Sequence, residues 1–207
     1  MNRSVIWSRP DPFGVELAQI VLHPDHLGAQ GVAIGSDPLP YRLEYELETG
    51  PGFVTERLRV QAVGQGWSRH LDLRRDPAGS WAVSSSATGE VALPPPATSL
   101  PRLDDALDCD LEWSPLTNTM PILRHALQSG GEFHDFQMAW VSVPDLGVRS
   151  SLQRYLFVGK HEDRAVIRYE SRDSGFKADL TVDPQGIVTD YPGIGRSIDY
   201  VRRSSTG

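Results

Sequence analysis

Residues 108–127, DCDLEWSPLTNTMPILRHAL, form the one segment that reads neither as ordinary sheet nor as ordinary loop. The first residues alternate in the manner of a strand. Ser114-Pro115 then stops it, because proline offers no donor to a β-ladder and biases the residue before it toward extended geometry. A helix start follows at Thr117-Asn118-Thr119, whose short side-chain oxygens suit the free N–H groups of a first turn, and Pro121 is tolerated early in a helix. Ile122, Leu123, Ala126 and Leu127 supply a single apolar face. The expectation is a short plug helix over 118–127, covering part of whatever the rest of the chain builds.

The rest of the chain builds strands. Residues 5–7 begin a short one, ended by Pro10-Asp11-Pro12 and Gly14. Residues 16–22 fit either period over so short a window, and the stop at His23-Pro24-Asp25 with a second run at 31–34 favours strand. Over 41–47 the alternation is clean, with Tyr41, Leu43, Tyr45 and Leu47 on one face and Arg42, Glu44 and Glu46 on the other, as in a sheet with one wet side. Between 53 and 83, turns at Gly64-Gln65-Gly66 and Asp76-Pro77-Ala78-Gly79 divide a meander. Arg57, Arg59, Arg69, Arg74 and Arg75 crowd this meander, and pairing with neighbouring acids is the reading favoured over a binding patch. Beyond the plug come apolar runs at 133–143, 151–158, 164–171 and 176–182, then a last pair near Val188 and Ile198. FQMAWVSV is apolar on both faces, which places it in the middle of a closed or strongly curved sheet.

Ser84-Ser85-Ser86 and Pro94-Pro95-Pro96 make a connector that divides the chain nearly in half. Motifs at Arg42, Gly52-Phe53, Leu58 and Asp76-Pro77 recur in order at Arg168, Gly175-Phe176, Leu180 and Asp183-Pro184. One domain over 1–207 is expected, with a duplication of 1–93 and 101–207 joined at 94–100 kept beside the ordinary vocabulary of hairpins.

With 207 residues, the chain can bury about 70% of its unfolded surface and needs no covalent staple. The lone Cys109 can form no internal disulfide, and the start MNRSVIWSRPDPFG lacks the apolar run of a secretory signal, so a cytoplasmic protein is expected. No window approaches the roughly 20 apolar residues of a membrane-spanning helix. A net charge of −7 repels polyanions, which argues against nucleic acid and against docking on an anionic membrane.

Chemical motifs are few. Asp108 and Asp110 share one face of an extended segment, but the nucleotide-binding α/β pattern of a sugar transferase is absent, and a structural role outweighs a metal site. The six histidines have no zinc spacing, and His125 suits the C-terminal end of the short helix better than catalysis. No Gly-x-Ser-x-Gly elbow presents a serine, Gly193-x-Gly195 is a turn without a following helix, and Cys109 packs as a small buried side chain. No cofactor, metal or catalytic residue is assigned.

DLEWSPLTNTMPILR resembles the signature of the bacterial family described as "Putative glycolipid-binding", in which a Ser-Pro-x-Thr-Asn-Thr-x-Pro-Ile run sits mid-chain. Gln153-Arg154-Tyr155, Arg168-Tyr169-Glu170-Ser171, Leu180-Thr181-Val182-Asp183 and Val188-x-Asp190-Tyr191-Pro192-Gly193 strengthen the resemblance. Two positions depart from it. Leu123 precedes Arg124 where the family commonly carries two basic residues, and Ala106 stands where a cysteine is frequent, with Cys109 displaced into the Asp-x-Asp run. The resemblance implies a curved β-fold similar to that of lipoprotein carriers, with an apolar cavity for a lipid or glycolipid.

The combined expectation is a mostly β (α+β) chain: a strongly curved antiparallel sheet, an incomplete β-barrel or β-roll, with one short plug helix. It binds a lipid or glycolipid non-covalently. Asn118 and Arg124 are candidate polar groups at the cavity mouth, against the alternatives that Asn118 caps the helix and Arg124 pairs with a sheet carboxylate. Trp113, Trp140 and Tyr155 are candidate lining, as is Trp7, against plain core. An enzyme acting on an amphipathic substrate through Asp108, Asp110 and His125, and a protein-interaction scaffold, are the competing functions.

Overall fold

The computed structural model describes residues 1–198. Among these residues fourteen strands form one sheet. The first half of the chain supplies β1 (Asn2–Arg9), β2 (Gly14–Leu22), β3 (Leu27–Gly35), β4 (Tyr41–Thr49), β5 (Thr55–Gly64), β6 (Trp67–Arg75) and β7 (Trp81–Thr88). The second half supplies β8 (Asp108–Leu111), β9 (His134–Val141), β10 (Val148–His161), β11 (Arg164–Ser171), β12 (Lys177–Val182), β13 (Val188–Tyr191) and β14 (Gly195–Ser197). In space the order runs β7 to β1, then β14 back to β8, so two meanders spread outward from the β1–β14 pair. The sheet is strongly curved and mostly antiparallel, as expected. It is not a closed barrel: β7 and β8 stand at its two ends and do not pair with each other.

The period-two pattern carries directly into burial. Tyr41, Leu43, Tyr45 and Leu47 of β4 are buried, while Arg42, Glu44 and Glu48 are exposed. On the outer face three of the arginines meet acids, Arg57 and Arg59 across the ladder and Arg74 along its own strand. Arg57 and Arg74 each lie 2.7 Å from Asp72, and Arg59 bonds Glu46. Pairing holds the Asp72 carboxyl well below the usual range. Arg69 and Arg75 depart from this pattern: Arg69 is buried with its Nε lacking a partner, and Arg75 donates to the Ala106 carbonyl at 3.1 Å. Trp81 Nε1 donates to the same oxygen at 3.0 Å, and Leu93, Ala97 and Leu100 pack on the core. The proline-rich connector is therefore laid against the first half's concave face.

One pairing breaks the antiparallel rule. β8 runs parallel to β9, and parallel neighbours cannot be joined by a hairpin; they need a crossover of a dozen or more residues. Residues 112–133 are that crossover, and they contain α1 (Thr119–Arg124) behind a 3₁₀ turn, Pro115–Asn118. The helix is thus shorter than the expected 118–127: it ends at Arg124, and the segment after it tightens into a second 3₁₀ turn, Leu127–Ser129. Neither Ser114 nor Asn118 makes a side-chain cap bond. Those oxygens are turned to the sheet instead, which corrects the capping expectation.

The crossover sits between two hydrophobic clusters and serves both. Leu116 and Met120 enter the cluster inside the first meander, while Ile122 and Leu127 enter the one formed by Tyr155, Ile167, Leu180 and Val182. β9 does the same, with Ala139 and Val141 in the first cluster and Met138 in the second. That accounts for its two apolar faces. Its place in the sheet is penultimate rather than central, because the β8–β9 rim is folded into the cup of the other half.

Arg124 anchors this arrangement. Its Nη1 donates to Asp108 Oδ2 at 2.8 Å, its Nη2 to Asp108 Oδ1 at 2.5 Å and to the Phe53 carbonyl at 3.0 Å, and its Nε to the Gly52 carbonyl at 2.7 Å. Removing one partner of a buried pair strands the other charge, at a cost of about 3–5 kcal/mol. Arg124→Ala is expected to lose about that much in chemical denaturation, and Arg59→Ala, on the wet face, less than about 1 kcal/mol. Equal losses would mean that the pair does not anchor the crossover.

Candidate functional site

α1 covers only part of the second half's concave face. Where the helix ends its cover, a groove of about 370 Å³ remains between the crossover and strands β9 to β11. Trp113, Trp140, Tyr169, Phe176 and Tyr191 wall it. Tyr169 stands 5.6 Å from Tyr191 and 6.1 Å from Phe176, centroid to centroid. The Arg149 guanidinium lies 3.7 Å above the Trp140 ring, and that of Arg9 lies 3.9 Å from Trp113. Such contacts fix the indoles in place.

The floor is polar and tightly bonded. Asp110 Oδ1 accepts from Thr117 at 2.8 Å, and Oδ2 from Gln153 Nε2 at 2.6 Å. Tyr155, fully buried beneath the groove, donates its hydroxyl to Asn118 Oδ1 at 2.7 Å. Glu112 follows Asp110 on the same face of the extended segment. Its Oε2 accepts the Val143 N–H at 2.8 Å, and burial raises its carboxyl to about 7. Burial also raises Asp110, against the hydrogen bonds from Gln153 and Thr117.

A third carboxylate ties the groove to the first meander. Ser114, a groove residue, donates to Glu16 Oε1 at 2.7 Å, and the Tyr45 hydroxyl donates to the same oxygen at 2.5 Å. Tyr45 reaches across β3 because Gly31 lies between; a Cβ there would overlap its ring. Glu16 Oε2 is buried without a partner, and burial lifts the carboxyl from 4.5 to about 7.

Among the sequence-derived candidates, Trp113, Trp140 and Asn118 line the groove, and Tyr155 supports it from below. Trp7 is core, its indole N–H donating to the Val188 carbonyl at 2.8 Å. Arg124 stands outside the groove with its fork occupied. Asp108, Asp110 and His125 do not meet: Asp108 is paired with Arg124, and the His125 ring packs 4.2 Å from that of His134. Burial, then His134 and Arg124, lower the His125 pKa. Cys109 is buried and its thiol pushed up to about 12. Among the described residues no group of three or more His, Cys, Asp or Glu is placed to hold a metal. Nor is any helix there long and apolar enough to cross a membrane.

Sequence reasoning missed Glu112, Arg149, Tyr169 and Tyr191. The signal for Glu112 was present, since the alternation that pairs Asp108 with Asp110 reaches it next. A broader depression of about 590 Å³ lies on the outer face around Leu17, Val32, Glu44 and Arg59. We do not favour it as a site, since Tyr45 is the one Phe, Tyr or Trp in its lining and its charged Arg59 and Glu46 are already paired with each other.

The family described as "Putative glycolipid-binding" matches residues 4–197. The chain belongs to that family. In fold it is similar to the crystal structure of a DUF1089 family protein from Pseudomonas aeruginosa, with a TM-score of 0.69 and 30% identity over 88% of this chain and 92% of that one. No curated protein matches. The family signature coincides with the crossover, so its Asn118 and the Tyr169 and Tyr191 of its later motifs converge on the groove.

The raised Glu16 sets a pH dependence. The folded state holds its proton up to about pH 7 and the unfolded state only to about 4.5. Stability is therefore full below 4.5 and falls as pH rises to 7, by up to about 3 kcal/mol for a shift of this size. Denaturation at pH 4.5 and pH 8 is expected to show a loss in the wild type that Glu16→Gln reduces by about this amount, the remainder coming from Glu112, whose carboxyl burial also raises to about 7. Equal pH slopes would contradict the assignment.

Proposed function

We propose that the protein binds a glycolipid non-covalently and that the groove holds the sugar head group. The observation that carries this reading is the division of the concave face. Ile122 and Leu127 fill one part, and the open part is walled by aromatic rings above fixed hydrogen-bonding groups. Flat rings suit the apolar faces of a sugar, and Asp110, Glu112, Asn118 and Ser151 suit its hydroxyls. At about 370 Å³ the groove has room for about a dozen waters at roughly 30 Å³ each, or one or two sugar rings.

The expected apolar cavity gives way here to a mixed one. A space with this lining favours the polar end of an amphiphile, and the acyl chain leaves past Phe176, which is 43% exposed at the rim. The family name supports a lipid ligand, and this placement is our own.

Calorimetric titration with octyl β-glucoside below its micelle-forming concentration tests the reading. Saturable binding is expected, weakened at least about tenfold by Trp140→Ala, the ~1.4 kcal/mol that loss of one aromatic anchor costs. Val32→Ala, on the outer face, is expected to leave it unchanged. Absence of saturable binding, or equal effects of the two substitutions, would overturn the proposal.

A further inference from the structure

The groove's lining holds two acids and one base, Asp110, Glu112 and Arg149. Their commitments differ. Asp110 receives donors on both oxygens from the protein itself. Arg149 spreads its charge over the Trp140 ring at 3.7 Å. Glu112 uses Oε2 for the Val143 N–H at 2.8 Å, and among the described residues no protein donor reaches Oε1. Around it stand Asp110, Asp145 and Arg149, with Arg9 and Tyr41 on the side of the first meander. One carboxylate oxygen in the site thus lacks a donor, and the neighbouring charge is as much acid as base.

We infer that Glu112 makes the groove selective for a head group rich in hydrogen-bond donors and free of negative charge: a hydroxyl or amino sugar rather than a phosphorylated or sulfated one. This rests on the glycolipid reading above and narrows it. A sugar hydroxyl or an ammonium brings the proton that Oε1 lacks. A phosphate dianion brings none, and sets its charge beside a carboxylate where the aromatic walls exclude the water that would screen it. Arg149 offers an anion some compensation, since stacking on Trp140 leaves its N–H edges free, but the carboxyl groups of Asp110, Glu112 and Asp145 stand around the same spot.

Three probes of one chain length separate the cases: octyl β-glucoside, octyl 2-amino-2-deoxyglucoside and octyl phosphate. They are titrated calorimetrically at pH 8, where Glu112 is ionised. The wild type is expected to bind both sugars at least tenfold more tightly than octyl phosphate. Glu112→Gln is expected to narrow that gap tenfold or more by improving octyl phosphate and weakening both sugars, the amino sugar more than the glucoside.

If octyl phosphate binds the wild type as tightly as the sugars, or if the folded variant keeps the original ratio, the charge inference falls while the glycolipid reading stands. If neither sugar binds, the glycolipid reading itself falls and takes this inference with it. The wild-type ratio decides the matter even where the variant does not fold.

Discussion

Arg124 is where three separate pieces of chain meet. Its guanidinium takes both oxygens of Asp108 on the rim strand β8 and the carbonyls of Gly52 and Phe53 in the β4–β5 turn, while its own backbone closes α1. Two charges withdrawn from water are stable only when their hydrogen-bonding capacity is met, and here four donations meet it. The geometry follows from that requirement. The helix cannot slide along the concave face without stranding a buried charge, so the limit of its cover is fixed, and the groove begins where the cover stops.

A second constraint acts through connectivity. The parallel β8–β9 pairing demands a crossover, and a crossover of this length needs somewhere to bury its apolar side chains. It finds two places. Leu116 and Met120 face the first meander, and Ile122 and Leu127 the second, so the segment joins the two cores. The polar network under the groove runs along the same segment, from Gln153 through Asp110 to Thr117, and from Ser114 to Glu16 and Tyr45. Packing and recognition therefore share one stretch of chain.

Most strands were legible because a half-buried sheet imposes period two, and residues 41–47 or 164–171 carry that period cleanly. The exceptional segment was legible too, as a strand followed by a short helix. Its role was not. Whether β8 runs parallel or antiparallel to its neighbour is decided by tertiary pairing, which leaves no local mark. The same holds for FQMAWVSV: two apolar faces signal cover on both sides, but the cover comes from an inserted rim and not from a central position. In the site, Trp113, Trp140 and Asn118 could be singled out by type and by the family signature. Arg149, Tyr169 and Tyr191 lie on strands 20 to 80 residues away and join the groove only through the curvature of the sheet. Thr117 and Asn118 read as helix caps by residue type. The Asp110 carboxyl takes the Thr117 hydroxyl and the Tyr155 hydroxyl takes Asn118 Oδ1, so both side chains are bonded to groups in the sheet and not to the helix's first turn.

The account turns on the concave face being half filled and half open, with the open half shaped for a sugar. A crystal structure of the protein grown with octyl β-glucoside tests this most directly. We expect the glucose ring in the groove, flanked by Trp113 and Trp140 and within hydrogen-bond distance of Glu112, with the octyl chain leaving past Phe176. A groove closed by its own side chains, or a ring bound only on the outer face of β2 to β5, would contradict it.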